Sequence, residues 1–193
     1  MIPRRVALIS FHACPLASPG EGKSGGMNVY VSQLSRSLHK LGIEVDIFTR
    51  DHHGSHIACD VDLDGVRVIH LPGGDVDASM DELFGFLPEF LVNMRNFVGR
   101  NQINYGAVHS HYWLSGWIGR LFAQEIKVNH VITFHTLSLI KMQSRPGEFE
   151  TLQRQDTERE LISDTRSIVA FSPHERDAMA RLYGANSDHI NLV

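Results

Sequence analysis

Apolar and polar residues follow two patterns along the chain, and the first pattern is typical of buried strands. Runs such as RVALISF and IEVDIFT are rich in β-branched residues and have no helical period. Strands are predicted over residues 6–11, 43–49, 66–71, 107–110, 130–136 and 167–172. Asp64-Gly65 predicts a turn before the third of these strands, and the closing HINLV predicts the beginning of another.

The second pattern places apolar residues three or four positions apart, as in a helix with one buried face. Met27, Val31 and Leu34 begin the first such series, and Gly42 is a typical helix end. Helices are predicted over residues 28–41, 82–98, 113–124, 148–164 and 173–183. The last of them opens with SPHE at 172–175, a capping box with proline in the first helical position.

Strands that alternate with helices of this length are joined by right-handed crossovers. We therefore predict an α/β domain over residues 1–193, with a parallel sheet and helices on both faces. Ligands bind such sheets beyond the carboxyl ends of the strands. Because HINLV begins a strand that does not continue, we expect these residues to be the front part of a longer protein.

Composition narrows the classes of function. A net charge of −4 on 193 residues argues against nucleic acid as a partner. Two cysteines supply neither a disulfide framework nor a four-cysteine zinc site. His12 and Pro15 interrupt the apolar start before it reaches the length of a secretory signal, and no segment has the ~20 apolar residues of a membrane span. We expect a cytoplasmic protein.

The segment GEGKSGGMNVYV, residues 20–31, contains parts of two phosphate-binding motifs. GKS ends at Ser24, but a P-loop also needs a glycine where this chain has Ala17. Gly20, Gly22 and Gly25 spell the dinucleotide motif GxGxxG, but that motif should follow its strand at once, and Gly20 comes about nine residues after the predicted strand. Neither motif is therefore complete in its context.

Gly25 and Gly26 remain, at the beginning of the first predicted helix. Free N–H groups and the helix dipole favour a phosphate at such a position, and glycine lets the ligand approach closely. The alternative is a loop that needs its glycines only to turn.

Polar side chains, most of them histidines, follow three of the predicted strands. They are His12, His109, His111, Tyr112, His135 and Thr136. Because the carboxyl ends of parallel strands meet at one edge, we expect these side chains to lie close together. His109 and His111 share one face of their strand, which leaves zinc as an alternative, but no HExxH and no well-spaced carboxylate accompanies them.

The stretch HACPLASPGEGKSGGMNVYVSQLSRSLHKLGIEVDIFTR, followed by VHSHYWLSG and FHT, resembles the N-terminal half of retaining GT-B glycosyltransferases. The branch is that of sucrose-phosphate synthases and the transferases that place N-acetylglucosamine on inositol phosphate. The resemblance implies a Rossmann-like acceptor-side domain, with the nucleotide-sugar domain C-terminal to it and absent from this chain. It implies sugar transfer from a nucleotide-sugar donor, expected to be UDP-linked, to a sugar or polyol, without metal or cofactor. The isolated fragment is expected to be inactive.

The resemblance also implies roles for individual residues. Gly25 and Gly26 would face the donor diphosphate, and His111 or its neighbour His109 would sit beside the reacting anomeric carbon. The implied acceptor-binding residues are His12, Lys23, Ser24, Asn28, Tyr112, His135, Thr136 and Arg154.

One position departs from the family pattern. Members with phosphorylated acceptors have a lysine before the long helix, where this chain has Met80. Arg67 and Arg95 are the cations considered as substitutes, and without one of them we expect an unphosphorylated acceptor. Two other functions remain open: a non-catalytic sugar- or nucleotide-binding module, and an NAD-dependent oxidoreductase.

Overall fold

A computed structural model describes residues 3–17, 25–52, 59–145 and 147–193. Within these ranges the strands are β1 (Arg5–Ile9), β2 (Glu44–Arg50), β3 (Cys59–Leu63), β4 (Val66–Leu71), β5 (Ala107–His111), β6 (Asn129–Thr133), β7 (Ile168–Ala170) and β8 (Ile190–Leu192). The helices are α1 (Gly26–Lys40), α2 (Leu87–Arg100), α3 (Tyr112–Ile126), α4 (Ser138–Ser144), α5 (Leu152–Asp164) and α6 (Pro173–Tyr183). In the described part of the chain, none of these helices is long and apolar enough to cross a membrane.

The strands form one sheet in the order β3-β4-β2-β1-β5-β6-β7-β8. All neighbouring strands are parallel except β3, which pairs with β4 in antiparallel register. Asp64 (φ 54°) and Gly65 (φ 86°) form the turn of this hairpin. The α/β prediction and the turn are confirmed, and the antiparallel edge strand was not predicted.

Helices cover both faces of the sheet, as expected from the crossovers. On β1, Val6 and Leu8 point toward α1 and pack with Val31. Ala7 and Ile9 point to the other face and belong to the cluster that contains core residues of α2 and α3. The strand is therefore apolar on both sides, which explains its continuous run of apolar letters.

Several predicted boundaries are wrong, and the structure shows the reason for three of them. The helix expected over 82–98 is a 3-10 turn, Leu83–Phe86, followed by α2, because Pro88 lies in the first turn of α2 and not in its interior. The strand expected over 130–136 ends at Thr133, since the chain turns at His135 with φ 62°. The helix expected from 148 begins at Leu152 with Thr151 as its cap, and α4 was not predicted.

Two glycines in helices have opposite surroundings and allow a matched test. A Cβ on Gly119 in α3 would collide with Ser110 Oγ and lie 2.9 Å from His130 Nε2, so α3 approaches β5 closely at this point. A Cβ on Gly99 in α2 would meet nothing within 4 Å among the described residues.

We expect Gly119→Ala to lower the free energy of unfolding by about 1–3 kcal/mol because it overpacks the contact between helix and strand. Gly99→Ala should raise it by about 0.5–1 kcal/mol through helix propensity alone. Urea unfolding of both variants measures the difference, and equal stability would show that α3 does not lie this close to β5.

Candidate active site

The sheet order has its switch point between β1 and β5. The chain leaves β1 toward β2 on one side, and β5 pairs with the other side of β1. Loops that diverge from such a point leave a crevice beyond the carboxyl ends of the strands, where ligands bind doubly wound sheets. The predicted histidines lie at this edge.

Three histidines from β5 and from the turn after β6 lie against one another. His111 Nδ1 is 3.1 Å from His135 Nε2. The rings of His109 and His111 have centroids 4.4 Å apart, since the two residues share one face of β5. His109 Nε2 lies 2.9 Å from Thr133 Oγ1 on the neighbouring strand. The predicted convergence of these groups is confirmed.

Burial makes these imidazoles neutral. Desolvation, and then the proximity of the other histidines, lowers the pKa of His109 to about 3 and that of His111 well below its ordinary value. Burial lowers the pKa of His135 to about 4. A neutral imidazole has one donor and one acceptor nitrogen, so the cluster can exchange hydrogen bonds with hydroxyl groups at neutral pH.

His135 and His111 differ in access to solvent. His111 is fully buried, and its Nε2 has no hydrogen-bond partner among the described residues. His135 is only partly buried and lines the cleft described below. Tyr30 of α1 packs edge-on against both rings, with centroids 5.8 Å from His111 and 5.2 Å from His135. Of these two histidines, His135 is the one that a ligand in the cleft can touch.

Tyr112 lies between the loop after β1 and Arg154 of α5. Its ring centroid is 4.6 Å from that of His12, and the guanidinium carbon of Arg154 lies 4.9 Å from the ring centroid on its face. Tyr112 (φ 78°) and His135 (φ 62°) both adopt left-handed backbone conformations. Strain of this kind at non-glycine residues clusters at functional sites, because the surrounding structure must hold it in place.

Arg154 is buried and uses most of its donors within the protein. Its Nε–H donates to Glu158 Oε1 at 2.7 Å, and Nη1 donates to Glu150 Oε2 at 3.0 Å. Nη2 donates to Thr136 O at 3.1 Å and to Thr136 Oγ1 at 3.2 Å. Arg154 therefore fixes the residue that directly follows His135.

Glu158, which accepts the hydrogen bond from Arg154 Nε, has no exposed surface. Besides Arg154, its carboxylate accepts hydrogen bonds from the N–H of Ser138 at 2.9 Å and from the O–H of Tyr183 at 2.7 Å. The Tyr183 oxygen in turn accepts from the N–H of Leu139 at 2.9 Å. The two side chains thereby satisfy the first free N–H groups of α4.

Sequence analysis misses Glu158 and Tyr183. The four-residue spacing of Arg154 and Glu158 on a helix is a usable signal for an ion pair. Nothing local in the sequence indicates that Tyr183, on a different helix, reaches the same carboxylate.

The predicted phosphate-side residues lie at the N-terminus of α1. Gly25 caps the helix, and a Cβ on either Gly25 or Gly26 would meet nothing within 4 Å among the described residues. Asn28 is buried: its Nδ2 donates to Cys14 O at 2.6 Å, and its Oδ1 accepts from the N–H of Gly25 at 3.4 Å. Asn28 thus ties the loop after β1 to the helix, and contact with an acceptor stays a prediction. Lys23 and Ser24 lie outside the described residues.

Arg67 and Arg95, the cations considered as substitutes for a lysine at position 80, both pair with carboxylates of the protein. Arg67 is bound through Nε and Nη2 to both oxygens of Asp46, each at 2.9 Å. Arg95 Nε pairs with Glu125 Oε2 at 2.7 Å on the surface between α2 and α3. Met80 is half-buried and packs against the large core cluster. Whether either arginine substitutes for a lysine at position 80 stays a prediction.

A cleft of about 510 Å³ opens beside the histidine cluster. It is lined by Tyr112, His135, Thr136, Leu137, Ile140, Lys141, Ser144, Arg145, Arg154, His174 and Glu175. This is the size range of small-molecule sites, and four of the lining residues were predicted acceptor contacts. Within the described ranges, no three or more His, Cys, Asp and Glu side chains are grouped so as to hold a metal ion.

Comparison with solved structures places the fold among the GT-B glycosyltransferases. Sucrose-phosphate synthase from Thermosynechococcus elongatus matches with a TM-score of 0.87 and 28% identity, over 98% of this chain and 47% of that one. The catalytic domain of Starch Synthase IV from Arabidopsis thaliana matches with a TM-score of 0.64 and 13% identity, over 97% of this chain and 50% of that one, a likeness in fold alone. The Rossmann-like prediction is confirmed.

The sequence then identifies the family: residues 25–193 match the glycosyl transferase 4-like domain, and the chain belongs to this family. D-inositol 3-phosphate glycosyltransferase from Xylanimonas cellulosilytica is 39% identical over 98% of this chain and 46% of that protein. D-inositol 3-phosphate glycosyltransferase 2 from Catenulispora acidiphila is 37% identical over 100% of this chain and 46% of that protein. The chain spans about half the length of the curated relatives it matches.

Replacing Glu158 tests the buried ion pair. Glu158→Gln leaves Arg154 without its closest carboxylate in a buried site, so we expect the free energy of unfolding to fall by about 3–5 kcal/mol. Glu160→Gln, on the same helix, removes an exposed carboxylate 3.6 Å from Arg120, which Asp164 still holds at 2.6 Å, and should cost less than about 1 kcal/mol. Urea denaturation compares the two, and similar small losses would contradict the network.

The neutral histidines make stability depend on pH. Because folding lowers the pKa of His109 to about 3, the unfolded chain binds more protons than the folded chain below the ordinary pKa near 6.5. The stabilising contribution is therefore complete above pH 6.5 and is lost as the pH falls toward 3.

His109→Gln isolates this effect. Between pH 7 and pH 5 the variant should lose roughly 2 kcal/mol less of its unfolding free energy than the unmodified protein. Urea midpoints at the two pH values, in one buffer of fixed ionic strength, give the measurement. Parallel losses in both proteins would show that His109 titrates normally.

Proposed function

We propose that this chain is the acceptor-side domain of a retaining glycosyltransferase. The enzyme moves a sugar from a nucleotide-sugar donor, expected to be UDP-linked, to a sugar or polyol acceptor. A C-terminal domain of the same protein supplies most of the donor contacts, and the transfer needs no metal.

The observation on which this rests is the placement of two complementary features around one switch point. The N-terminus of α1 begins at Gly25 and Gly26, where an added Cβ would meet nothing within 4 Å among the described residues. The histidine cluster and the 510 Å³ cleft lie at the carboxyl ends of β5 and β6. A diphosphate at the helix and an acceptor in the cleft would place the reacting sugar beside His135.

Burial leads us to refine the predicted roles of the histidines. The sequence analysis put His111 or His109 beside the anomeric carbon, but His111 has no exposed surface. We assign that contact to His135, with His111 holding the His135 ring through the 3.1 Å contact between Nδ1 and Nε2. Neutral His135 can share hydrogen bonds with sugar hydroxyls without adding a charge.

Retention is expected to proceed by attack on the face that the leaving group departs from. The leaving phosphate accepts the proton of the acceptor hydroxyl, so the domain needs to supply position and electrostatic complementarity and no covalent nucleophile. The buried Glu158 suits this scheme, because its carboxylate is already bound to Arg154, Ser138 and Tyr183 and serves the frame of the site.

The two alternatives gain less support. A tight dinucleotide-binding turn would join β1 directly to its helix, whereas β1 ends at Ile9 and α1 begins at Gly26. A non-catalytic binding module has the same fold and would bind UDP or an acceptor without turnover. Only an enzyme would release the nucleotide from a sugar nucleotide, so measuring this release distinguishes a transferase from a binding module.

Two substitutions in the protein expressed from its full reading frame test the proposed roles. His135→Ala should reduce kcat by roughly 100-fold or more with little change in melting temperature, since the ring is only partly buried. Gly26→Val should raise KM for the donor by placing a branched side chain where phosphate would approach. The measurement is UDP release from UDP-glucose and UDP-N-acetylglucosamine with a panel of sugars and polyols.

Gly99→Ala, on the exposed surface of α2, is the matched control and should turn over normally. Normal rates in both test variants would show that the reacting sugar lies elsewhere. Absence of UDP release by the unmodified protein with every donor and acceptor would refute the transferase itself.

A further inference from the structure

Tyr30 of α1 lies among three aromatic side chains located at or just beyond the ends of three different strands. Its ring centroid is 5.8 Å from that of His111 in β5, 5.2 Å from that of His135 after β6, and 5.1 Å from that of Phe171 after β7. The ring planes are inclined to that of Tyr30 by 65°, 75° and 77°. This is the edge-to-face arrangement that aromatic pairs prefer.

The His135 ring is therefore enclosed from more than one side. Besides Tyr30, its neighbours are Phe171 and His111, with ring centroids 5.8 and 5.3 Å away. The 3.1 Å contact with His111 Nδ1 holds one nitrogen of the His135 ring, but a single hydrogen bond does not fix the tilt of an imidazole. Packing of Tyr30 against the same ring restricts this tilt.

Tyr30 also belongs to the helix whose N-terminus we propose to bind the donor diphosphate. Gly26 begins α1, and Tyr30 follows it by four residues, which is about one turn and about 6 Å along the helix axis. The beginning of α1 therefore has two functions in the proposed site. Its N–H groups would face the phosphate, and its tyrosine contacts His135. One rigid element thus relates the position of the imidazole to that of the donor.

We propose that Tyr30 is a positioning residue, whose ring holds the His135 imidazole at a fixed place relative to the N-terminus of α1. The inference rests on the proposed function, because His135 is the residue assigned there to the reacting sugar. Tyr30 acts through His135 and needs no contact with a substrate. Since the three contacts described above are all made by the ring, phenylalanine can replace Tyr30, whereas an aliphatic side chain cannot.

Tyr30→Leu and Tyr30→Phe, in the protein expressed from its full reading frame, separate the ring from the hydroxyl group. We expect Tyr30→Leu to lower kcat for UDP release about tenfold or more, because a misplaced imidazole stabilises the transition state poorly. KM for the donor should change by less than about threefold, since this variant leaves the glycines at the helix N-terminus in place. Tyr30→Phe should keep kcat within about threefold of the unmodified protein.

Two results with these variants would overturn the proposal. A normal kcat in Tyr30→Leu would show that His135 does not depend on the ring. An equal loss of kcat in Tyr30→Leu and Tyr30→Phe would show that the hydroxyl group acts on a substrate directly.

Phe97→Leu is the control for lost aromatic packing. Phe97 lies in the last turn of α2, which leads into β5 at the opposite edge of the sheet, and its ring centroid is 6.0 Å from that of Phe48 with the planes at 84°. We expect it to lower the melting temperature by an amount similar to Tyr30→Leu while kcat changes by less than about twofold. An equal loss of kcat in Phe97→Leu would attribute the effect of Tyr30→Leu to general destabilisation and contradict the positioning role.

The double variant Tyr30→Leu/His135→Ala tests whether Tyr30 acts through His135. When the imidazole is already absent, its position no longer matters, so the loss of Tyr30 should lower kcat further by less than about twofold. A further loss as large as that of Tyr30→Leu alone would show that the two residues act independently, and the proposal would fail.

A measurement that needs no turnover separates this inference from the proposed function. In the NMR spectrum of protein with isotopically labelled histidine, the His135 ring signals, assigned with His135→Ala, report on the ring current of Tyr30. Tyr30→Leu should shift these signals and Tyr30→Phe should retain them. Unshifted signals in Tyr30→Leu would overturn the inference even in an active enzyme. A shift in a protein that releases no UDP would refute the transferase and support the positioning of His135 by Tyr30.

Discussion

The buried carboxylate of Glu158 is the interaction on which the walls of the cleft beside His135 depend. It fixes Arg154 on its own helix, the N-terminus of α4 through Ser138, and α6 through Tyr183. Burying a carboxylate is unfavourable unless it is paired and hydrogen-bonded, so Glu158 needs its partners on α4, α5 and α6 to be in place together. Arg154 then extends the same constraint to Thr136 and to the turn that presents His135.

His135 is held in position by two separate contacts, one to its turn from Arg154 and one to its ring from His111. The turn after β6 holds His135 with positive φ, a conformation that an unconstrained chain would leave. Arg154 holds it from the side of α5, and His111 holds the ring from the side of β5. Because both supports come from regular elements, the imidazole is positioned before any ligand arrives, and the entropy of ordering it is not lost on binding.

Local patterns predicted most of this architecture, and the failures have physical causes. The apolar runs of β1 and β4 and the Ser172 cap of α6 depend on neighbouring residues, so the sequence predicts them. The predicted capping box is only half formed, because Glu175 Oε2 accepts from the N–H of Phe171 and not from that of Ser172. β6 ends at Thr133, just before the turn that Arg154 holds by donating a hydrogen bond to Thr136 O. Arg154 lies 18 residues after Thr136, so no local pattern in the sequence predicts this contact. Parallel topology predicted that the histidines converge, but only packing decides that His111 is buried and His135 is partly exposed.

The charge of the cleft also depends on contacts between residues that are distant in the sequence. Met80 supplies no cation, and it packs against the core cluster and is not among the residues that line the cleft. Here Lys141 and Arg154 share Glu150, a residue that lies just before α5 and is held in place by both of them. The charge that these side chains present to the cleft is therefore a property of the paired set and of no single residue.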